Sequence, residues 1–305
     1  MLVITPYFNP SSYSSLKRNH QIFAQRILSQ GANLLTVELT FKDCEPQLNN
    51  GCVGKVAHLK SNSVMWQKEQ IINWALKNYP PNDGKFAWVD CDILFKDGDW
   101  IKRAEDKLEE ADIIQLFKKV YNLKPGQLHY GGDRTLFFQS VLWQYKIHKN
   151  WLNRRKEKEL PFAHPGFAWA ARVDALPQGL YPFSITGSGD TLMVDAILNS
   201  WDIHSYARSF TYKMWESITK WQSSLLPNMR VDYIPEDIYH LYHGSLKNRN
   251  YTHRHNMLVE HSFDPEEDVT QINGVLEWNS PKYDLHGAVE NYFLDRKEDA
   301  GENES

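Results

Sequence analysis

The feature that most constrains this chain is an apolar run that ends in two aspartates one residue apart. Residues 86–89 are Phe-Ala-Trp-Val, Asp90 and Asp92 follow, and residues 93–95 are again apolar. An unbroken apolar run of this kind predicts a buried strand of a parallel sheet. Two carboxylates at the end of a buried strand cost several kcal/mol in desolvation unless a cation neutralises them.

A divalent cation is the partner that this pattern favours. Residues i and i+2 of a strand point to the same side, so Asp90 and Asp92 are expected to face one ion together. Carboxylate oxygens suit Mg²⁺ or Mn²⁺. The alternative interpretation is a solvated turn between two strands, because Asp-x-Asp also occurs by chance.

The order of the predicted elements indicates the fold class. Strands are predicted at residues 2–5, 34–39, 56–59 and 86–89, and helices at residues 16–30 and 65–79. This alternation predicts an α/β fold with a Rossmann-like, mostly parallel central sheet and crossover helices. Ligands bind such sheets at the carboxyl ends of the strands, which is where Asp90 and Asp92 are expected.

Composition and charge exclude several classes of protein. A chain of 305 residues with 42% apolar residues can form a full core, and its net charge of −4 argues against a chain-wide basic surface for nucleic acid. The cysteines have no zinc-finger spacing and their odd number argues against a disulfide framework, so we expect a cytoplasmic protein. No apolar stretch approaches the ~18–20 residues that cross a bilayer.

Two more segments are expected at the same edge of the sheet. Thr5, Pro6 and Tyr7 follow the first strand, and Glu38 ends the second. A dinucleotide-binding or P-loop protein would carry a glycine-rich phosphate loop. The sequence contains neither Gly-x-Gly-x-x-Gly nor Gly-x-x-x-x-Gly-Lys-Ser/Thr, so both classes are disfavoured.

A glycine loop precedes a predicted helix in the second half. Gly187, Ser188 and Gly189 allow a close backbone approach to a ligand, and Asp190 follows them. Asp190 is either the N-cap of the helix or a carboxylate base that takes a proton from an acceptor hydroxyl. Trp169 is either a core residue or a ring on which an acceptor stacks.

A histidine pair lies close to residue 240. A neutral imidazole is a common ligand of transition metals, and the suspected metal site still needs ligands. His243, which adjoins Gly244, is preferred to His240. Lys247 and Arg249 follow, and such cations would grip a diphosphate held by the ion.

Taken in order along the chain, these segments resemble the GT-A fold nucleotide-sugar glycosyltransferases. The resemblance covers roughly residues 2–250, from the segment at 5–7 to His243. It implies that Asp92 and His243 bind Mn²⁺ or Mg²⁺ and that Asp90 contacts both the ribose and the metal. Asp190 would then be the base of an inverting reaction. Many inverting members carry an acidic residue where this chain has Gly189.

The same resemblance assigns the other contacts and the domain plan. We expect one domain over residues 1–295, with a nucleotide-sugar half at 1–118 and an acceptor half at 119–295. Residues 296–305 are acidic and are expected to be a disordered tail. The nucleotide-sugar contacts are assigned to Thr5, Pro6, Tyr7, Glu38, Lys68, Asp90, Lys247 and Arg249. The acceptor contacts are assigned to Trp169, Gly187, Ser188 and Gly189.

The implied activity is transfer of a sugar from a nucleoside-diphosphate sugar to an acceptor hydroxyl. A UDP-sugar is the favoured donor, and the acceptor is a glycan or a hydroxymethylated DNA base. Two alternatives stay open. One is a sugar-phosphate nucleotidyltransferase, which normally has a glycine-rich loop after its first strand. The other is a non-catalytic protein that binds a nucleotide or a glycan.

Overall fold

The computed structural model describes residues 1–49, 54–132, 136–148, 151, 163–201, 209–244 and 254–299. The strands are β1 Leu2–Phe8, β2 Asn33–Phe41, β3 Lys55–Ser61, β4 Lys85–Val89, β5 Ile93–Phe95, β6 Ile113–Gln115, β7 Lys119–Asn122, β8 Phe137–Ser140, β9 Ala163–His164, β10 Ala168–Arg172, β11 Val231–Tyr233, β12 Asp237–His240, β13 Val269–Ile272 and β14 Val275–Trp278. The helices are α1 Ser14–Ser29, α2 Lys68–Asn78, α3 Trp100–Lys107, α4 Val141–Ile147, α5 Gly189–Leu198, α6 Tyr212–Gln222, α7 Asn256–Glu260 and α8 Tyr283–Leu294, with a 3-10 helix at Val173–Ala175.

A seven-stranded central sheet carries the fold. Its order is β11-β6-β10-β4-β1-β2-β3, and only β10 runs against the other strands. The predicted α/β class, with a mostly parallel central sheet flanked by helices, is therefore confirmed. Because β1 pairs with β2 on one side and β4 on the other, the strand order reverses between β1 and β4. A doubly wound sheet binds its ligands at such a switch point.

The first strand is longer than the sequence predicts. The predicted strand covers residues 2–5 and stops before Pro6, but β1 pairs with β2 from Leu2 through Phe8. The ladder from β1 to β4 ends earlier, at the pair Ile4 and Trp88. Pro6 therefore lies where β1 has one strand partner instead of two, a position in which a missing N–H is tolerated.

The chain leaves the central sheet at the Asp-x-Asp motif. Strand β4 ends at Val89, residues 90–92 make a turn, and β5 enters a second sheet of order β5-β12-β7-β8-β9. Strand β12 pairs antiparallel with β5, so that His240 lies opposite Ile93. The register of the second sheet thus brings His240 beside Asp92, and the backbone N–H of Leu241 donates to the Asp92 carbonyl at 2.9 Å.

A hairpin fixes the start of helix α2. Strands β13 and β14 are joined by Asn273 and Gly274, both with positive φ, which is the pattern of a two-residue hairpin turn. The Gln67 side chain, just before α2, is hydrogen-bonded to both the N–H and the carbonyl of Leu276, at 2.6 and 3.0 Å. This anchor sets the position of Lys68, the first residue of α2.

The segment after α8 does not follow the expected disorder in its first four residues. Residues 296–299 pack against the beginning of α1, where the Asp299 carboxylate accepts the backbone N–H groups of Ser14 and Ser15 at 2.9 and 2.8 Å. A carboxylate is stabilised at this end of a helix by the unpaired N–H groups. Residues 300–305 of the predicted tail lie outside the described residues. Among the helices that the structure describes, none is long and apolar enough to cross a membrane.

Candidate functional site

A cavity of about 560 Å³ opens at the switch point between β1 and β4. The end of β1, the turn after β4, the starts of α2 and α5, the end of β12 and the segment after α8 all contribute to its wall. Its chemically active side chains are those of Lys68, Asp90, Asp92, Asp190, His240, His243, Arg254, Arg296 and Glu298. Carboxylates, imidazoles and guanidinium groups therefore converge on one space.

Three donor atoms in this cavity have the arrangement of a metal site. The Nε2 atoms of His240 and His243 lie 3.0 Å apart, and the Asp92 Oδ2 atom lies 3.6 Å from the first and 3.0 Å from the second. Two ligands about 2.1 Å from an ion and at right angles to each other are about 3.0 Å apart. All three side chains are at most 9% exposed. The donor spacing therefore fits one ion.

The hydrogen bonds behind the rings support the same conclusion. His240 Nδ1 lies 2.7 Å from Asn122 Oδ1, an acceptor, so this nitrogen carries the hydrogen and Nε2 presents a lone pair. His240 Nε2 and His243 Nε2 lie only 3.0 Å apart, so a proton on one of the rings or a cation must lie between them. Burial by itself would raise the pKa of the Asp92 carboxyl, but His240 and His243 hold it well below its usual range. The residues present fit a divalent ion.

Lys68 joins two acidic groups on the other side of the cavity. Its Nζ lies 2.7 Å from Asp90 Oδ1 and 3.0 Å from Asp190 Oδ2, and the residue is 4% exposed. Burial opposes the charge of this ammonium, but Asp190 and Asp90 outweigh burial and raise the pKa of Lys68 above its ordinary value. Lys68 therefore holds the loop after β4 and the first turn of α5 together.

A second buried carboxyl lies behind this pair. A Cβ atom added at Gly189 would be 2.0 Å from Glu69 Oε1, so the absence of a side chain at position 189 leaves the space that Glu69 occupies. Burial, only partly offset by Lys68, raises the pKa of the Glu69 carboxyl to about 8. Glu69 is therefore protonated at neutral pH.

The raised pKa of Glu69 predicts that stability falls as pH rises from mildly acidic values to about 8. An unfolded chain loses this proton near the ordinary pKa of about 4.3, whereas the folded protein keeps it up to about 8. Stability is therefore complete below the unfolded pKa and falls as pH rises through the folded one. The wild-type protein should lose a few kcal/mol in its free energy of unfolding between pH 5 and pH 8, as measured by urea denaturation. Glu69→Gln should not show this loss. The exposed Glu267→Gln should leave the wild-type pH profile unchanged, and equal profiles for the two variants would contradict a raised pKa at Glu69.

An arginine and a histidine support the glycine loop. Arg254 is 7% exposed and donates to Ser188 Oγ, while His255 is hydrogen-bonded to Thr186 Oγ1 at 2.8 Å and to Ser188 Oγ at 3.0 Å. A Cβ added at Gly187 would be 3.0 Å from the Arg254 guanidinium. The loop before α5 is therefore shaped around a buried cation that reaches the cavity.

The structure brings together part of the predicted site. Pro6, Lys68, Asp90, Asp92, Ser188, Asp190 and His243 line the cavity. Asp90 and Asp92 lie in a turn instead of a strand, so Asp90 contacts Lys68 while Asp92 contacts the histidines. Ser188, not Asp190, is the N-cap of α5, and Asp190 lies in the first turn of the helix.

Other predicted residues lie beside or outside the cavity. Thr5 is buried and donates its hydroxyl to the Val89 carbonyl at 2.8 Å, and the Tyr7 hydroxyl donates to Gln47 Oε1 at 2.6 Å. The Glu38 carboxylate accepts the backbone N–H groups of residues 47 and 48. Trp169 is 1% exposed and stacks on Trp88 at 6.2 Å, as a core residue does. Gly187 and Gly189 leave space for the side chains of Arg254 and Glu69, respectively. Lys247 and Arg249 lie outside the described residues.

Several residues of the cavity were missed or ranked too low on sequence alone. His240 was placed behind His243, although both rings belong to the same donor set as Asp92. Arg254, Arg296 and Glu298 were not assigned to the site. Adjacent basic and histidine residues at 254–255 are a sequence signal for Arg254, whereas Arg296 and Glu298 lie in a segment whose composition predicts a tail.

Comparisons with known proteins do not identify a family. No family model and no curated protein matches the chain. Among solved structures, it is similar to Staphylococcus aureus TarS 1-349 in complex with UDP-GlcNAc, at 13% identity over 80% of this chain and 60% of that one, with a TM-score of 0.42. A second TarS 1-349 structure is 12% identical over 99% of this chain and 73% of that one, with a TM-score of 0.41. A putative glucose-1-phosphate thymidylyltransferase from Bacillus anthracis is 7% identical over 78% of this chain and 88% of that one, with a TM-score of 0.35. The chain thus spans 60% of the length of the first of these, and likenesses this distant define no activity.

Proposed function

We propose that this chain is a metal-dependent glycosyltransferase of the GT-A type, which transfers a sugar from a nucleoside-diphosphate sugar to an acceptor hydroxyl. The observation that carries the proposal is the pairing of two groups in one cavity. Asp92, His240 and His243 form a donor set for an ion, and Lys68 holds Asp190 nearby. A UDP-sugar is the proposed donor.

The donor set also favours one kind of ion. Imidazole nitrogens together with a carboxylate suit a first-row transition ion such as Mn²⁺, whereas Mg²⁺ takes oxygen ligands almost throughout. When bound, the ion would neutralise the charge that develops on the departing diphosphate. Asp92, His240 and His243 would hold it, and the proposed ribose contact of Asp90 lies on the neighbouring side of the same turn.

Cations and aromatic rings in the same cavity suit the rest of the donor. Arg254 and Arg296 line the wall, and guanidinium groups bind phosphate oxygens in a bidentate manner. Arg296 also lies 5.3 Å above the Trp66 ring, which packs against Phe8 at 5.0 Å and Phe293 at 6.5 Å. This aromatic wall beside the end of β1 offers a surface for a base or a sugar ring. Lys247 and Arg249 stay predictions.

Asp190 is the proposed base. Lys68 fixes one carboxylate oxygen at 3.0 Å and stabilises its negative charge. A Cβ added at Gly166 would lie 3.3 Å from the same oxygen, so the lack of a side chain there leaves room beside the carboxylate. An acceptor hydroxyl that enters this space can pass its proton to Asp190 as it attacks the sugar.

A donor panel tests the proposal directly. The purified protein should release nucleoside diphosphate from at least one nucleotide sugar in Mn²⁺, release less in Mg²⁺ and release none in EDTA. A glycan and an oligonucleotide that contains hydroxymethylated bases should be compared as acceptors. Pyrophosphate formation from a nucleoside triphosphate and a sugar 1-phosphate, without release from any nucleotide sugar, would instead favour the nucleotidyltransferase alternative.

The base assignment makes a separate prediction. Asp190→Asn keeps the size of the side chain but removes its ability to take a proton, so turnover should fall by about 100-fold or more. Binding of Mn²⁺ and of the nucleoside diphosphate, measured by calorimetry, should stay close to wild type. Asp174→Asn, an exposed change next to Arg172 and away from the cavity, is the matched control. Wild-type turnover in Asp190→Asn would exclude the base role.

A further inference from the structure

We propose that Glu298, on the segment after α8, is a positioning residue that orients His243 toward the metal. The inference rests on the metal site of the proposed function and adds a residue that the sequence pattern placed in a tail. Residues 296–299 would then contribute to the cavity, and the loss of Glu298 would lower the affinity for the metal ion.

Both nitrogens of His243 face a carboxylate. Its Nδ1 lies 3.6 Å from Glu298 Oε2, and its Nε2 lies 3.0 Å from Asp92 Oδ2. His243 is 5% exposed and Glu298 is 2% exposed, so water screens this contact very little. A carboxylate beside Nδ1 favours the hydrogen on that nitrogen, so that Nε2 can offer its lone pair to an ion that Asp92 also binds.

The neighbouring ring also has an oxygen atom beside its Nδ1, at a shorter distance. His240 Nδ1 is hydrogen-bonded to Asn122 Oδ1 at 2.7 Å, and its Nε2 points to the position shared with His243. Each imidazole of the donor set therefore has an oxygen atom beside Nδ1, hydrogen-bonded at 2.7 Å for His240 and in an ion-pair contact at 3.6 Å for His243. Partners of this kind fix the tautomer and orientation of a metal ligand, and their loss typically costs 10–100-fold in metal affinity.

The local sequence explains how Glu298 reaches a buried ring. Asp299 anchors the segment to the start of α1, and Ser15 Oγ donates to the Glu298 carbonyl at 3.2 Å. Gly244, directly after His243, has a φ of +85°, and a Cβ added there would lie 2.9 Å from the Glu298 Cα atom. Only glycine allows the two segments to approach so closely.

Glu298 also links the ion site to a cation of the cavity wall. Its Oε1 atom accepts from Arg296 Nε at 2.6 Å, while Oε2 faces His243. One carboxylate thus touches the side chain that would hold the ion and the guanidinium that would meet the diphosphate. Neutralising its charge should loosen both.

Mn²⁺ titration of the full-length protein tests the inference without any turnover. Free Mn²⁺ is measured by electron paramagnetic resonance for wild type, Glu298→Ala, Glu298→Gln and the control Glu290→Gln. Glu298→Ala should raise the Kd for Mn²⁺ by about 10-fold or more. Glu298→Gln should raise it by less, because the amide oxygen of glutamine can still accept from Nδ1. Glu290→Gln, which removes a charge from α8 at an exposed ion pair with Lys42, should leave the Kd unchanged.

Each outcome decides between the proposals. A wild-type Kd in Glu298→Ala overturns the positioning role, even if the melting temperature falls, because a purely structural residue would change stability alone. If the wild-type protein binds no Mn²⁺, this inference and the metal site both fail. If the Kd depends on Glu298 but no nucleotide sugar is turned over, the positioning role stands and the transferase proposal fails.

Discussion

Replacing Asp92 with asparagine is expected to abolish Mn²⁺ binding and, with it, release of nucleoside diphosphate. Asp92 supplies the carboxylate of the donor set in the cavity, and the other two donors are the imidazole nitrogens of His240 and His243. Asparagine has nearly the same shape but no charge to offset the charge of the ion. A metal-dependent step typically gains several kcal/mol from its ion, so a loss of about 4 kcal/mol corresponds to a rate about a thousandfold lower.

The control for this variant is an exposed acid on helix α3, outside the cavity. Asp106→Asn removes a carboxylate that is 66% exposed and contacts Lys102, and it should change neither Mn²⁺ affinity nor turnover. Both variants are compared by Mn²⁺ titration and by diphosphate release. If Asp92→Asn keeps the wild-type affinity, the cation does not bind at this cluster.

Removing the charge of Lys68 is expected to have the largest effect on stability. Lys68→Met keeps the length of the side chain but leaves Asp90 and Asp190 close together without their shared cation. Breaking a buried ion pair by deleting one partner costs about 3–5 kcal/mol. The two carboxylates are still 31% and 19% exposed, so we expect the lower end, about 3 kcal/mol in the free energy of unfolding, and a loss of turnover because Asp190 loses its support.

Two further variants separate charge from packing. Lys77→Met makes the same substitution at an exposed position of α2 and should change stability by less than about 0.5 kcal/mol. The double variant Lys68→Met/Asp190→Asn should recover part of the loss, because it removes one of the uncompensated charges. Urea denaturation measures all four proteins. Equal stabilities for Lys68→Met and Lys77→Met would show that the acidic pair does not depend on Lys68.

The sequence predicts the sheet well because local patterns determine it. Alternation of strands and helices in the first 95 residues is enough for the α/β class, and the rule for the carboxyl ends of strands places Asp92 at the correct edge. The error at Pro6 arose because a single sequence does not show where one neighbouring strand stops. Pairing on one side only is a property of the sheet, not of the segment.

The candidate site could be predicted only in part. The alternation of side chains along a strand suggested one ion for Asp90 and Asp92, but the chain turns at this point and Ile93 N–H donates to the Asp90 carbonyl at 3.3 Å. His243 was preferred to His240 because it adjoins Gly244. Strand β12 ends at His240 and the chain leaves the strand there, so that both rings reach the same donor set.

Contacts between distant segments account for the rest. The contact from Lys68 to Asp190 joins residues 122 positions apart, a separation at which local patterns carry no information. The acidic composition after residue 295 predicts disorder, yet Asp299 accepts a hydrogen bond at the start of α1 and Glu298 lies beside His243. The hairpin at Asn273-Gly274 is different, because that dipeptide between apolar runs is a strong local pattern that the sequence analysis did not use.

The carboxyl of Glu69 in the space beside Gly189 has an evolutionary consequence. An acidic residue at position 189 could be accepted only if position 69 became smaller in the same lineage, since both would otherwise occupy one volume. The two sites should therefore covary across homologues, with one acid shared between the first turns of two helices that lie far apart in sequence. A directed exchange of the two residues would need both changes at once.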